Sequence, residues 1–174
     1  MTMRSKTRRW WLGVLGLMTA LTASTVAAAW KTGTVLPDLA ACKLEGLLPS
    51  TSGKVVLLDF WASWCGPCKA SFPALDEIQK QYAQQGLVVL AVNLDDKQET
   101  MQAFLKEHPV SFSVVRDAAH KLVEQADVKS MPSSFVIDRF GKVRFAHSGF
   151  HGDKTVAEYK RQIESLLQEK GKGP

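Results

Sequence analysis

Residues 58–69 of the chain read Leu-Asp-Phe-Trp-Ala-Ser-Trp-Cys-Gly-Pro-Cys-Lys. Two cysteines separated by two residues, Cys65 and Cys68, form a motif that serves either redox chemistry or metal binding. The run Val55–Phe60 before them is rich in β-branched residues and is typical of a strand buried on both faces of a sheet. Residues 67–84 carry apolar side chains at three- and four-residue spacing, which predicts a helix. The cysteines therefore lie where a buried strand turns into a helix.

The patterns on either side extend this strand and helix into an α/β fold. The expected strands are 87–93, 112–115, 134–137 and 143–147, and the expected helices are 97–107, 118–126 and 154–168. Strand, helix and strand over residues 55–93 imply a parallel pair with a right-handed crossover. The element order predicts a central mixed sheet flanked by helices, with an αβα-type insert before the last two strands.

The chain divides into four predicted segments. Residues 1–29 are a leader, residues 30–52 an N-terminal extension with a short strand pair around Leu39–Lys43, and residues 53–170 the folded domain. Residues 171–174 are expected to form a frayed tail. Within the domain, Asp138–Gly141 predicts a tight turn that places Gly141 at positive φ.

The leader has the pattern of an export signal. Basic residues 4–9 precede an apolar run over residues 10–26, and the run ends in the small residues Ala27–Ala29 that a signal peptidase reads. Because residues 10–29 approach the length of a bilayer span, an uncleaved membrane anchor is the alternative. In that case these residues are the only expected contact with the membrane. Both interpretations place the domain outside the cytoplasm, in the periplasm or its equivalent.

The charge of the chain is concentrated in this leader. The formal net charge is +5, and four basic residues of the leader, which holds no acidic residue, account for most of it. Without the leader the net charge falls to +1. The domain is therefore nearly neutral, and the charge gives no reason to expect a nucleic-acid partner.

The position of the cysteine pair predicts different roles for its two members. A helix N-terminus offers unpaired N–H groups and a partial positive charge, both of which stabilise a thiolate. Cys65, nearer to these groups and to solvent, is the expected nucleophile, and Cys68 is the expected resolving cysteine. Gly66 permits close approach of a partner backbone, and Pro67 fixes φ in the first turn of the helix.

A zinc half-site is the main alternative for the pair. His147 and His151 have ligand-like spacing, but they lie far beyond the separation found in a compact zinc finger. We therefore expect no metal and no cofactor other than the redox-active disulfide. The third cysteine, Cys42, is expected to be a half-buried free thiol in a strand. Lipidation after Leu39–Ala41, or a regulatory disulfide, are the alternatives for Cys42.

Residues 58–69 resemble the active-site segment of the thioredoxin superfamily, and Met131-Pro132 occupies the place of that family's cis-proline. The leader and the insert are similar to those of the TlpA/ResA/DsbE (CcmG) branch. The resemblance implies a thioredoxin-like fold with a Cys65–Cys68 disulfide. It also implies that Pro132 lies beside this disulfide, that Met131 pairs with an extended substrate strand, and that Trp64 covers the site.

Two acidic residues have roles implied by the same resemblance. Asp59 stands where thioredoxin has a buried carboxylate beneath the dithiol, and burial raises the pKa of such a group. It is expected to take a proton from Cys68, although a purely structural hydrogen-bonded acid is the alternative. Asp96 lies near the place of an acidic residue in ResA-like proteins and is a second candidate for proton transfer. Asp95 and Asp96 as solvated loop charges are the alternative.

These features predict an exported thiol–disulfide oxidoreductase. The Gly-Pro dipeptide between the cysteines resembles that of reducing thioredoxins, which favours a reductase of exported protein disulfides, including a role in cytochrome c maturation. The resemblance implies re-reduction by a membrane electron-donor protein. A disulfide oxidase or isomerase is the second hypothesis, and a non-enzymatic chaperone or binding module on the same fold is the third.

Overall fold

A computed structural model of the protein describes residues 29–169. The strands are β1 Val55–Trp61, β2 Leu87–Asn93, β3 Ser113–Arg116, β4 Ser133–Ile137 and β5 Val143–Ser148. The helices are α1 Gly66–Tyr82, α2 Gln98–Glu107, α3 Lys121–Ala126 and α4 Asp153–Gln168, with short 3₁₀ helices at Leu39–Cys42 and Ala83–Gln85. This order confirms the predicted sequence of elements, including the αβα insert formed by α2, β3 and α3.

The five strands form one mixed sheet in the order β3-β2-β1-β4-β5. Strands β2 and β3 run parallel to β1 and to each other, whereas β4 and β5 are antiparallel to their neighbours. Because β1 is central, both of its edges are paired and all seven of its residues are buried. The C-terminal end of β1, which leads to Cys65, therefore leaves the most enclosed part of the sheet.

Alternate residues of β1 face two separate apolar layers, as expected for a strand buried on both sides. Val55, Leu57 and Trp61 face the layer formed with α1, α2 and α4, which also contains Cys68. Val56, Leu58 and Phe60 face the layer formed with α3 and the N-terminal extension. The sheet thus separates α1, which begins at the cysteine pair, from α3 of the insert.

The N-terminal extension differs from the predicted strand pair. Leu39–Cys42 is a 3₁₀ helix in which Asp38 Oδ1 accepts a hydrogen bond from the N–H of Ala40 at 3.0 Å. Strand pairing is limited to two isolated bridges, Val35 with Lys142 and Glu45 with Arg116. The strand interpretation was wrong because Leu39 and Cys42, three residues apart, are both buried, which is the period of a 3₁₀ helix and not of a strand.

Trp30 fastens the start of the extension to the sheet. Its side chain is 7% exposed and packs against Phe60 and Phe135, with ring centroids 6.1 and 5.2 Å away. Its N–H donates to the C=O of Ala126 at the end of α3, at 3.3 Å. The chain therefore joins the domain beside the loop that connects α3 to β4.

Helix α3 begins three residues later than predicted. Both carboxylate oxygens of Asp117 accept hydrogen bonds from the N–H groups of residues 121–123, at 2.8–3.1 Å. His120, in the left-handed conformation at φ 54°, separates this cap from the helix. The predicted turn is confirmed, since Gly141 has φ 74° and its N–H donates to the C=O of Asp138 at 3.0 Å.

Two of the predicted segments lie beyond the described part of the chain. These are residues 1–28 of the leader, including the whole apolar run over residues 10–26, and the tail 171–174. Within residues 29–169, no helix combines the length and the apolar character needed to span a bilayer.

Candidate active site

Cys65 and Cys68 are joined as a disulfide at the start of α1, with their Cα atoms 5.3 Å apart. Cys65 is the N-cap of the helix, and its Sγ accepts a hydrogen bond from the N–H of Cys68 at 3.2 Å. Cys65 is 6% exposed, whereas Cys68 is fully buried. A partner sulfur approaching from solvent therefore reaches Cys65 first, which supports the predicted division of roles.

An open groove of about 520 Å³ runs past the disulfide. One wall is the segment Trp64–Pro67, in which Trp64 is 68% exposed. The other wall consists of residues that the sequence did not single out, from the loop after β2 and from the insert: Leu94, Val123, Val128, Lys129 and Ser130. Met131 closes the groove at the start of β4. The surface facing the disulfide is thus largely apolar.

The Met131–Pro132 peptide bond is cis, the isomer that the resemblance implied. Pro132 is buried, and its C=O accepts a hydrogen bond from the N–H of Gly149 at 2.7 Å. The main chain of Met131 forms no backbone hydrogen bond with any other described residue. Its N–H and C=O are therefore free to pair with a strand lying in the groove.

Asp59 lies in the centre of the sheet and is 1% exposed. Its backbone is paired with Ala91 on one side and with Ser134 on the other. Its side chain points into the same layer as Leu57 and Trp61, which is the layer of Cys68. Desolvation by burial raises the pKa of Asp59 to about 7, against a smaller lowering by the hydrogen bond from Ser134. A carboxyl group with this pKa is suited to exchange a proton near neutral pH.

The two neighbouring acids after β2 have different environments. Asp96 is exposed, and only its C=O is engaged, by the guanidinium of Arg116 at 2.9 Å. Asp95 is 2% exposed, so the interpretation of this residue as a solvated loop charge was wrong. Its carboxylate accepts hydrogen bonds from the N–H and the hydroxyl of Ser63, both at 3.1 Å, and from the amide of Asn93 at 3.0 Å. Asp95 therefore braces the turn that precedes Cys65.

Arg116 connects the loop after β2 to the N-terminal extension. Its Nη1 donates to the C=O groups of Asp95 and Asp96 at 3.1 and 2.9 Å. Its Nε and Nη2 bind the carboxylate of Glu45 at 2.9 and 2.7 Å. The loop that contains the groove residue Leu94 is thus held by hydrogen bonds to Ser63 and to Arg116.

Asp95→Ala is expected to lower the free energy of unfolding by about 2–4 kcal/mol, because it leaves the half-buried Ser63 N–H and the buried Asn93 amide without partners. Urea unfolding monitored by circular dichroism measures this loss. Asp96→Ala is the matched control, since its side chain is exposed, and its change should stay within about 0.5 kcal/mol. Equal losses in the two variants would contradict a stabilising role for the hydrogen bonds of Asp95.

The two histidines of the zinc alternative lie away from the cysteine pair. His147 Nε2 is hydrogen-bonded to Gln162 of α4 at 2.8 Å, and the N–H of His151 donates to Thr155 Oγ1 at 3.0 Å. In the described residues, no three His, Cys, Asp or Glu side chains are grouped so that they could hold a metal ion.

Cys42 is a free thiol that is 9% exposed, so it is more deeply buried than predicted. It lies in the 3₁₀ helix, and its Sγ donates to the C=O of Asp38 at 3.4 Å. Burial, followed by the charges of Asp117 and Asp38, raises the pKa of this thiol. These effects keep Cys42 protonated and poorly reactive near neutral pH.

The disulfide, the helix start and the cis-proline all lie within a segment that matches a known protein family. The Redoxin family model matches residues 24–163. The chain belongs to the Redoxin family.

Several proteins similar to this chain share one activity in their names. The chain is similar to a thiol-disulfide oxidoreductase ResA of Bacillus cereus, with 33% identity over 77% of this chain and 72% of that protein. It is also similar to ResA of Geobacillus thermodenitrificans, with 30% identity over 89% of each protein. A solved structure of a Chlorobium tepidum protein assigned as the thiol:disulfide interchange protein DsbE shares 40% identity, with a TM-score of 0.74. That alignment covers 80% of this chain and 99% of the other.

This Redoxin protein is a thiol–disulfide oxidoreductase of the ResA/DsbE type with a thioredoxin-like fold. The predicted residues Trp64–Pro67 and Met131 all line the groove, and Pro132 follows directly on its edge. Asp59 and Cys68 lie beneath the site in the core, and Asp96 is not among the groove residues. The apolar residues of the insert were missed because Val123 and Val128 are indistinguishable in sequence from residues of an ordinary amphipathic helix.

Proposed function

We propose that this thiol–disulfide oxidoreductase acts outside the cytoplasm as a reductase of protein disulfides. The observation that carries the proposal is the Gly66-Pro67 dipeptide at the start of α1, which adds neither a charge nor a histidine beside Cys65. Strongly oxidising relatives owe their potential to a stabilised reduced form. Here only the helix start, through hydrogen bonds such as that from the N–H of Cys68, stabilises a Cys65 thiolate.

The reductive half of the cycle moves two electrons to the substrate. The Cys65 thiolate attacks one sulfur of a substrate disulfide, forms a mixed disulfide and expels the other substrate sulfur as a thiolate. Asp59 then accepts the proton of the Cys68 thiol, and the Cys68 thiolate attacks the Cys65 sulfur. This step forms the Cys65–Cys68 disulfide and releases the second substrate thiolate. A donor dithiol outside this chain restores the reduced pair by the same two exchanges in reverse.

The groove supports binding of the substrate as an extended segment. The free N–H and C=O of Met131 can form two hydrogen bonds with a strand, in the manner of a peptide added to a sheet edge. The apolar wall, including Leu94, Val123 and the exposed Trp64, can contact the side chains of that segment. Recognition of backbone more than of side chains agrees with a substrate class of partly unfolded exported proteins, including apocytochromes before haem attachment.

The leader and the relatives support the proposed place of action. Residues 10–29 have the pattern of an export signal or of an anchor, and both deliver the domain across the membrane. Anchoring would keep the protein beside a membrane protein that supplies its electrons. The name DsbE of the Chlorobium tepidum protein, as an interchange protein, agrees with action on protein disulfides.

The reduction potential of the Cys65–Cys68 couple tests the direction of electron flow. We expect a value near that of thioredoxin, about −270 mV, when the protein is equilibrated with glutathione or dithiothreitol buffers. Pro67→His places a ring donor beside Cys65 and should move the potential toward the values of oxidising proteins, about −120 to −180 mV. A potential of the unmodified protein above about −150 mV would show that it is an oxidant and overturn the proposal.

A further inference from the structure

Three buried polar side chains form a continuous hydrogen-bonded chain through the core beneath the disulfide. Ser134 Oγ on β4 donates to Oδ1 of Asp59 on β1 at 2.5 Å, and Ser134 Oγ lies 2.7 Å from the hydroxyl of Tyr159 on α4. All three residues are 1% exposed. Burial of polar groups at this depth is costly unless they are paired. These two hydrogen bonds therefore connect β1, β4 and α4 around one carboxyl group.

The direction of these hydrogen bonds follows from the number of protons available. Ser134 has one hydroxyl proton, and it is used in the bond to Asp59. The hydroxyl of Tyr159 is therefore the donor in its bond to Ser134. Both bonds then point toward Asp59, and donors aligned in this way strengthen one another.

The second oxygen of Asp59 has a different environment. Oδ2 is buried and has no hydrogen-bond partner among the described residues. Because Ser134 occupies Oδ1, a proton arriving at the carboxyl group binds Oδ2. Asp59 points into the layer that also contains Cys68, the group whose proton must be removed in the resolving step.

We propose that Ser134 and Tyr159 are positioning residues, which hold Asp59 so that Oδ2 is its proton-accepting atom and which set the pH range of that transfer. The inference rests on the proposed role of Asp59 as the acceptor of the Cys68 proton. Neither Ser134 nor Tyr159 lines the groove, so neither acts by contacting the substrate.

Few other titratable groups face Asp59. Strand β2 presents Ala91, which carries no charge, and α1 presents the layer that contains Cys68. Helix α4 presents Tyr159, whose ring contacts His147 edge-on at 4.9 Å and whose neighbour Glu158 lies 3.7 Å from His147. Desolvation by burial, followed by the charge of Asp59, raises the pKa of Tyr159, so it stays protonated and able to donate throughout the working range.

The effect of removing each hydroxyl follows from these contacts. A hydrogen bond donated to a carboxylate favours its charged form and lowers its pKa. Ser134→Ala removes this bond and should raise the pKa of Asp59 above about 7. Tyr159→Phe removes only the donor to Ser134 and should raise it by a smaller amount. Both substitutions remove a hydroxyl and add no volume, so the packing of the layer is kept.

Tyr82→Phe provides a matched control for Tyr159→Phe. Tyr82 is another buried tyrosine of the same layer, and its hydroxyl donates to the carboxylate of Glu164 on α4. It makes no hydrogen bond to Ser134 or Asp59. Loss of its hydroxyl removes a hydrogen bond to the same helix, α4, and leaves the hydrogen bonds of Ser134 to Tyr159 and Asp59 unchanged.

The test measures the rate of the resolving step against pH, in single-turnover reactions of the reduced protein with a model disulfide, for the unmodified protein and the four variants. Asp59→Asn should abolish the inflection near neutral pH, and Ser134→Ala should move it upward by about one pH unit. Tyr159→Phe should move it upward by less, and Tyr82→Phe should leave it in place.

The outcomes distinguish the role of Asp59 as proton acceptor from the role of Ser134 and Tyr159 as positioning residues. If Asp59→Asn leaves the inflection unchanged, the proposed proton acceptor is wrong and the inference falls with it. If Asp59→Asn abolishes the inflection but Ser134→Ala and Tyr159→Phe leave it in place, only the inference is overturned. If Ser134→Ala does not fold, carbon-13 titration of the Asp59 carboxyl in the unmodified protein and in Tyr159→Phe decides. Equal carboxyl pKa values in these two proteins would overturn it.

Discussion

Cys68→Ala should leave Cys65 covalently joined to its substrates. Without the buried resolving thiol, the mixed disulfide formed by the Cys65 thiolate has no intramolecular route to release, and it persists until an external thiol attacks it. We expect turnover to fall on the order of 10³-fold or more, and adducts to appear on non-reducing gels. Mass spectrometry of these adducts identifies both the partner and its cysteine.

Cys65→Ala is the matched control for this experiment. It should lose turnover to the same extent but form no adduct, because the remaining thiol of Cys68 is fully buried. Cys42 stays in both variants and is itself buried, so adducts that appear equally in both would come from Cys42. Adducts in Cys65→Ala that are absent from Cys68→Ala would reverse the assigned roles.

Asp59→Asn should change how the stability of the oxidised protein depends on pH. The pKa of Asp59 is about 7 in the folded protein against 3.8 for an ordinary aspartate. Between these values the unfolded chain loses the proton and the folded protein keeps it, so the free energy of unfolding falls as pH rises. The penalty is absent below pH 3.8 and complete above about pH 7. Its size corresponds to on the order of 4 kcal/mol.

The asparagine variant removes this titration. Relative to the unmodified protein, its free energy of unfolding should therefore rise by on the order of 4 kcal/mol between pH 4 and pH 8, as measured by urea unfolding. Any fixed cost of burying the amide cancels in this difference. Asp76→Asn is the control, and its difference should stay nearly constant between pH 4 and pH 8, because the pKa of Asp76 lies below its ordinary value of 3.8. Burial raises the pKa of Asp76, but hydrogen bonds from Lys80 and Ser111 and the charge of Lys80 lower it overall. A constant difference for Asp59→Asn across this pH range would show that its carboxyl does not titrate abnormally.

Apolar periodicity, run length and β-branched content were sufficient to predict most strands and helices of the domain. The buried run Val55–Phe60 and the run at 87–93 have no competing interpretation, because both are short, apolar and followed by clear breaks. The extension at Leu39–Lys43 was assigned wrongly because five residues are too few for a period of two to be told from a period of three. The late start of α3 depends on Asp117, whose capping contacts reach four to six residues along the chain.

The site was predictable to the extent that its residues are consecutive in sequence. Residues 58–69 contain both cysteines, Asp59 and one wall of the groove. The other wall comes from the insert, where ordinary apolar residues acquire a role only through their position in space. The sequence gives no sign of which of the two adjacent acids is buried. Asp95 differs from Asp96 through its hydrogen bonds with Ser63 and Asn93. Ser134 and Tyr159 were missed because strand serines and helix tyrosines are common and carry no motif.

The packing of Trp30 against the sheet determines where the N-terminal end of the described chain joins the domain. Ala29, Lys129 and Ser130 border one small cavity, and Lys129 and Ser130 also border the groove. Ala29, the first described residue, therefore lies beside the mouth of the groove. Attachment to a membrane or to a carrier protein at that point would raise the local concentration, at Cys65, of the thiols and disulfides of neighbouring proteins. A bulky affinity tag fused there would crowd the same opening, which makes the far end of α4 the better place for a label.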